Sequence, residues 1–406
     1  MRKQGGKGEE EEDGEVELWV APGISSLIFS AANTMSIAKV FLRGGVDGDE
    51  TAPNVERQEG KDNVTLSDFE VVNQLGQGGF GHVFKVVRKA ASGKEEFYAL
   101  KILSREKYNV EKLVRAYWTE RHILLTAKHP FVVQLFYAFT TPTSWVFVME
   151  YCDGGDLQDL IDANPNGIEA ETVRRYSAQI LLALEYLHWR RIVFRDLKPA
   201  NVCLWGGQYC KIVDFGLSKA LGSLPSTWSI AGTGLYMAPE IRSREGYSFP
   251  VDIFSLGCCI WAMSTATAPP DGPVIRETLQ GHAPENLREA GGFILKCTDP
   301  DPKNRGHACT LRQHSYFGHI VDWIEVFPPS WRGRFDGVSM PIVDFPGADP
   351  SFAAQLADGS ISLVSRGSGR ALAGGSSGGL RDSTAAVLPE RLPSCPEVEG
   401  SGQADA

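Results

Sequence analysis

The chain carries 406 residues, 43% hydrophobic and 22% charged, and its 50 acidic side chains outnumber 40 Lys and Arg for a formal net charge of −10. That length accommodates one two-lobed domain with tails, and so acidic a balance excludes the broad electrostatic footprint of a nucleic-acid binder. Eight scattered cysteines with no CxxC pair, and no secretory signal, favour reduced thiols and a cytoplasmic setting, nuclear entry left open, over a disulfide framework.

Residues 1–64 read as an N-terminal extension, partly disordered. They open on a glycine and charge mixture with an acidic run from Glu9 to Asp13, which is ordinarily solvated chain. Val16 to Leu42 is semi-apolar but broken by Pro22, Gly23 and Asn33. No stretch reaches the ~18 unbroken apolar residues of a membrane span, and the acidic run ahead of it disfavours a signal peptide. A strand or short helix packed within the molecule is expected there, with a partner-docking segment as the second reading.

Gly76-Gln77-Gly78-Gly79-Phe80-Gly81-His82-Val83 is a GxGxxGxV loop. Glycines let backbone N–H groups approach phosphates closely. A lone GxGxxG is weak, because it also marks dinucleotide-binding folds. There the loop runs into a helix; here Phe80 to Val87 alternates apolar and polar residues and predicts a strand. The next strand, Phe97 to Ile102, carries one inward charge, Lys101, and a buried lysine is costly unless paired. Glu120 fits as its partner, on a predicted helix whose Leu113, Tyr117 and Leu124 share a face with it. Glu111, two and a half turns earlier, is the fallback.

Ile192 to Asn201, followed by Asp214-Phe215-Gly216, is the most informative stretch. It gathers a proton acceptor (Asp196), a cation (Lys198) and two oxygen ligands (Asn201, Asp214). Phosphoryl transfer from ATP needs that set. Downstream lie Ala238-Pro239-Glu240, then Asp252 to Gly257, then Asp299 to Arg305. From about 351 the composition turns to Gly, Ser and Ala, a disordered tail with little capacity to form a core.

In this order, Arg195-Asp196-Leu197-Lys198-x-x-Asn201, Asp214-Phe215-Gly216 and Ala238-Pro239-Glu240 resemble the motifs of eukaryotic protein kinases over residues 65–318, and Lys198-Pro199 resembles the serine/threonine version. The resemblance implies an α+β, two-lobed fold. The small lobe, 65–150, would be mostly antiparallel β with one key helix, and the large lobe, 151–318, mainly helical. It implies ATP and Mg2+ as cofactors, protein substrates with Ser/Thr acceptors, an upstream activating kinase and a monomer, with no nucleic-acid partner and no transmembrane segment.

It also assigns roles. Gly76, Gly78 and Gly81 would cover the phosphates. Val83 and Ala99 above and Cys203 below would hold adenine against the Glu150 to Cys152 backbone, with Met149 as gatekeeper. Lys101 would meet phosphates and Glu120. Asp196 would accept the hydroxyl proton, Lys198 neutralise the moving phosphoryl, and Asn201 and Asp214 hold Mg2+. Leu124, Leu135, Phe194 and Phe215 would form an apolar column. Asp252 would hold the catalytic-loop backbone, and Glu240 and Arg305 would pair beneath the substrate platform. The rival reading, a pseudokinase scaffold, normally shows damage at Lys101, Asp196 or Asp214, and all three are intact.

Asp68-Phe69-Glu70, Thr119-Glu120-Arg121, the hinge from Val148 to Leu157 and Gly216 to Lys219 resemble the AGC group. Leu197 to Asn201 and Gly234 to Glu240 are closer to G-protein-coupled receptor kinases, so the family stays unassigned. Phe194 stands where the AGC group has Tyr, and Ala200 where its basophilic members have an acid. Ser229 occupies the activating phosphosite, with Arg195 and then Lys219 as its partners; the unphosphorylated loop is expected to be mobile. Thr227 competes as the site, and Thr233 would contact Asp196 and Lys198. Asp322-Trp323 and Phe327-Pro328-Pro329 resemble the start of an AGC-like C-terminal extension over 319–350. Phe335, Phe345 and Phe352 form no Phe-x-x-Phe motif, so docking of that extension on the small lobe is not expected.

Overall fold

Strict alternation builds the first half of the molecule. The computed structural model describes residues 56–57 and 64–332, apart from 79–80, 91, 106–110, 142, 223 and 282. Strands β1 (Glu56–Arg57), β2 (Glu70–Gly78), β3 (Gly81–Lys89), β4 (Glu95–Ser104), β5 (Leu135–Thr140) and β6 (Ser144–Glu150) form one antiparallel sheet in the order β1-β5-β6-β4-β3-β2. On β3 and β4, Phe84, Val86, Tyr98, Leu100 and Ile102 are buried on one face, while Val83, Ala99 and Lys101 lie half-buried on the other. A period of two dictates that split. Lys101 therefore points away from the outer apolar cluster and toward the cleft side.

Strand β6 has no polar face: Trp145, Phe147 and Met149 join the large core, while Val146 and Val148 join the small outer cluster. Its unbroken apolar run follows from burial on both sides. Helix α1 (Glu111–Thr126) supplies Tyr117, whose ring stacks on Trp145 and Phe147 with centroids 4.4 and 5.2 Å away. That packing fixes the helix rotation and turns Glu120 inward.

The second half is helical. Helix α2 (Leu157–Asp162) starts at an Asp156 cap, whose carboxylate accepts the Asp159 N–H at 2.9 Å. Helix α3 (Ala170–Trp189) is followed by short strands β7 (Ile192–Val193), β8 (Val202–Trp205), β9 (Tyr209–Ile212) and β10 (Lys219–Ala220). The β7–β10 and β8–β9 pairs frame the loops that carry the Arg195–Asn201 and Asp214–Gly216 motifs. After α4 (Pro239–Arg242) comes α5 (Pro250–Thr265), in which every residue from Val251 to Ser264 is buried. A helix apolar all round is a central one. Helices α6 (Gly272–Gln280), α7 (Gly291–Cys297) and α8 (Pro302–Arg305) complete the lobe. This is the two-lobed α+β architecture that the motifs implied.

Two features modify the reading of the ends. Strand β1 comes from the expected N-terminal extension, pairing Glu56 with Ala138 and Arg57 with Tyr137. At the other end Phe327 stacks on Phe131, centroids 5.5 Å apart, so this part of the chain returns to the large core. The Val16–Leu42 segment, Phe335, Phe345, Phe352 and the tail lie outside the described residues, as do Gly79 and Phe80; nothing is described of the side chains of Glu111, Leu113 and Arg115.

Arg305 is 0% exposed. Its guanidinium donates to Glu240 Oε1 and Oε2 at 2.6 and 2.9 Å, and also to the Pro250 and Asp299 carbonyls. Such a fork is well matched to a carboxylate, but breaking a buried pair strands the remaining charge. Arg305→Leu is therefore expected to lose about 3–5 kcal/mol of stability in urea unfolding. A loss under about 1 kcal/mol, the size of an exposed pair, would contradict the structural role given to this contact.

Candidate active site

The site is built on one buried carboxylate. Asp252, in the first turn of α5, is fully buried and accepts the Phe194 N–H at 2.9 Å and the Arg195 N–H at 2.7 Å. His188, at the end of α3, completes the set with Nε2 2.8 Å from Asp252 Oδ2. These bonds hold Arg195 at φ 72°, a left-handed conformation that costs about 1–2 kcal/mol for a non-glycine residue. The turn delivers Asp196 inward.

Asp196 is 7% exposed and densely bonded. Its Oδ2 accepts from Lys198 Nζ at 2.9 Å and Asn201 Nδ2 at 2.8 Å, and its Oδ1 from Thr233 Oγ1 at 2.7 Å. Lys198 also donates to Thr233 at 2.7 Å. Asn201 gives a second bond to the Asp196 carbonyl at 2.8 Å. Both contacts of the Asn201 amide are donations to oxygen, which leaves its Oδ1 as an acceptor. Thr233 reaches this cluster because Gly232, at φ 128°, lies against the Arg195 carbonyl, where an added Cβ would stand 2.7 Å from that oxygen.

Across the cleft, Lys101 Nζ donates to Glu120 Oε1 at 2.7 Å and Asp214 Oδ1 at 2.9 Å. Burial works against the Lys101 ammonium, but the Asp214 and Glu120 carboxylates outweigh it and hold its pKa above the ordinary lysine value. Burial pushes the Glu120 carboxyl up, opposed by Lys101 and by a hydrogen bond from the Phe215 backbone. Desolvation pushes the Asp214 carboxyl up, but Lys101 outweighs it and holds the carboxyl below the ordinary value. Asp214 is half-exposed and also left-handed, at φ 63°. Its second oxygen and the Asn201 Oδ1 are hard oxygen donors of the kind a divalent cation takes. Among the described residues no three His, Cys, Asp or Glu side chains gather into a metal site, so such an ion would take its other ligands from phosphate and water.

The remaining predicted residues fall around this centre. Val83 and Ala99 lie on the cleft side of β3 and β4, in register with Lys101 and Lys85. Gly81 must be glycine, since a Cβ there would stand 2.0 Å from the Ile102 carbonyl oxygen, whereas a Cβ at Gly76 would meet open space. Gly78 pairs with Gly81 at the tip of the hairpin. Glu150 is tied by its side chain to Lys211 at 2.8 Å and by its N–H to the Gln134 carbonyl at 2.9 Å. Cys203 is half-buried rather than enclosed, and the Cys152 thiol is pushed up by a hydrogen bond with it, then by burial. Leu124, Leu135, Phe194 and Phe215 are all buried in the large core, and the Phe194 and Phe215 rings meet edge to face at 5.1 Å.

Facing the segment between Gly216 and Ala238, Arg195 is already engaged. Its Nε donates to the Leu217 carbonyl at 2.5 Å, and its Nη1 to Ser229 Oγ at 2.6 Å and Tyr247 OH at 3.1 Å. The expected mobility of the unmodified loop therefore meets a bonded alternative. Ser229 is exposed, whereas Thr227 is buried and its backbone pairs with Tyr247 in both directions at 2.9 Å. Lys219 sits on β10 opposite Val193. Sequence reasoning missed His188, Tyr247 and Lys211. None belongs to a recognisable motif, and only the fold brings them to the site.

A family model described as Protein kinase domain matches residues 69–317. Ribosomal protein S6 kinase alpha-3 of Homo sapiens is 33% identical over 311 residues, 73% of this chain and 42% of that protein. Ribosomal protein S6 kinase 2 alpha of Gallus gallus is 38% identical over 283 residues, covering 66% of this chain and 37% of the relative. The RAC family serine/threonine-protein kinase homolog of Dictyostelium discoideum is 33% identical over 274 residues, 65% of this chain and 61% of its own length. The chain thus spans less than half the length of the S6 kinases it matches.

The Lys101–Glu120 geometry makes Lys101→Met a change in stability as well as chemistry. Without the ammonium, the Glu120 carboxyl rises further above its unfolded value of 4.5. A carboxyl raised by folding stabilises below its unfolded pKa, and that contribution is lost as pH rises through the folded value. The deficit of Lys101→Met against the parent protein should widen between about pH 5 and pH 8. Adding Glu120→Gln should flatten it. Denaturant midpoints at the two pH values measure this, and equal deficits would contradict the pairing.

Proposed function

The chain belongs to the protein kinase family, and on that premise we propose that it transfers the γ-phosphoryl group of ATP to serine and threonine hydroxyls of protein substrates. The observation that carries the reading is the convergence of Asp196, Lys198, Asn201 and Thr233 opposite the Lys101–Glu120–Asp214 cluster. Asp196 orients the acceptor hydroxyl and takes its proton. Lys198, already between Asp196 and Thr233, offsets negative charge on the moving group. Lys101, held by Glu120, binds the phosphates. The open space where a Gly76 side chain would stand leaves room for phosphates beside the hairpin. Mg2+ bound with ATP supplies positive charge to the phosphate oxygens, and Asn201 Oδ1 and Asp214 would hold it. Catalysis is then positioning and electrostatics.

The domain assigned to this work is 65–318, divided at Glu150, with 319–350 as an AGC-like extension beyond it. Adenine would lie between Val83 and Ala99 above and Cys203 below, against the Glu150–Cys152 backbone. Ser229 is the proposed regulatory site, met by Arg195 and Lys219 and modified by an upstream kinase. Ala200 leaves one fewer acid for substrate arginines, and Asp156 is occupied as a helix cap, so selection for upstream arginine should be weak. Cys152, Cys203, Cys210, Cys258, Cys259 and Cys297 are thiols outside any disulfide, which supports a reducing, cytoplasmic location. No described helix is long and apolar enough to cross a membrane.

A Ser/Thr peptide library with ATP and Mg2+ tests the reading. The parent protein should phosphorylate a subset of peptides without near-absolute choice of two upstream arginines, and Asp196→Asn should lower turnover by about 10²–10⁴-fold. Nucleotide binding without transfer to any hydroxyl would favour a scaffold instead.

A further inference from the structure

Tyr247 lies outside every motif, yet it joins the catalytic loop to the activation segment. Its ring is buried in the large core. Its backbone exchanges two hydrogen bonds with Thr227, both 2.9 Å. Its hydroxyl donates to the Ser229 carbonyl at 2.5 Å and accepts from Arg195 Nη1 at 3.1 Å. Arg195 closes the ring through Ser229 Oγ at 2.6 Å and the Leu217 carbonyl at 2.5 Å. Among the described residues, every acceptor of the Arg195 side chain is therefore a neutral oxygen. The guanidinium beside the catalytic Asp196 is oriented with no phosphate and no carboxylate.

We propose that the Tyr247 hydroxyl is a positioning residue that holds Arg195 and the activation segment in their working arrangement while Ser229 is unmodified. The proposal rests on the kinase reading above and adds a regulatory consequence to it. An unmodified loop tied at Thr227, Ser229 and Leu217 retains activity. Phosphate on Ser229 would exchange a neutral acceptor for a charged one on Arg195, a stronger bond. It would then make the Tyr247 bond redundant. Tyr247 thus matters most in the unphosphorylated enzyme, and phosphorylation tunes an active arrangement rather than creating one.

Tyr247→Phe tests this, because it keeps the buried ring and deletes only the hydroxyl. Two forms of each protein are compared, one freed of phosphate with the state of Ser229 and Thr227 checked by mass spectrometry, the other with encoded phosphoserine at position 229. In the unphosphorylated form Tyr247→Phe should lower kcat about five- to twentyfold, the effect of losing a bridging hydrogen bond. In the phosphoserine form the two proteins should agree within about twofold. Amide hydrogen exchange over 224–236 should quicken only in the unphosphorylated variant, with the melting temperature little changed. A merely structural role would lower both forms alike. Equal losses, or no loss in the unphosphorylated form, would overturn the proposal. A parent protein inactive in both forms would instead overturn the kinase reading, and hydrogen exchange would still judge the clamp.

Discussion

A single carboxylate with no exposure to water organises the helical half of this molecule. Asp252 accepts two consecutive backbone N–H groups, and those bonds make a left-handed arginine tolerable at the turn before Asp196. Burying an anion is expensive unless its lone pairs are satisfied. Here they are satisfied by the loop that must be held, with His188 as the third donor. The cost of burial is thereby converted into rigidity where placement matters. Asp196, Lys198, Asn201 and Thr233 all depend on that turn.

The facing half uses the opposite economy. Lys101 is shared between the buried Glu120 and the half-exposed Asp214. One partner belongs to a helix and the other to the loop after β9, so a single ammonium ties three elements. Tyr117, stacked between neighbouring rings of β6, sets the rotation of α1 that makes this sharing geometric rather than accidental.

Much of this was legible in the chain, for identifiable reasons. The alternation around Lys101 placed it on the cleft side, and helical spacing turned Glu120 inward with Tyr117 and Leu124. The motif from Arg195 to Asn201 pointed to its own chemistry, because a carboxylate, an ammonium and an amide oxygen on one short turn have few other uses. What was not legible depends on long-range placement. Tyr247 is one aromatic among many until the fold sets it beside Ser229, and His188 is an unremarkable helix end until α5 brings Asp252 to it. The half-buried setting of Cys203 likewise depends on how Asp156 bridges to it on β8. The satisfied state of Arg195 could not be inferred at all, since neutral acceptors leave no signature in sequence.

The division of buried side chains into two clusters has a mechanical meaning. The ten-residue cluster on the outer face of the sheet contains Phe84, Leu100 and Val148, and it is separate from the large core that runs from Tyr117 through Phe147 into α3 and α5. Cooperative units with little buried area open at lower free energy than those with much. The hairpin bearing Gly76 and Gly81 hangs on the smaller unit, and the turn bearing Asp196 is embedded in the larger. Breathing is therefore partitioned: the cover over the cleft can loosen and reseat while the floor beneath it stays folded.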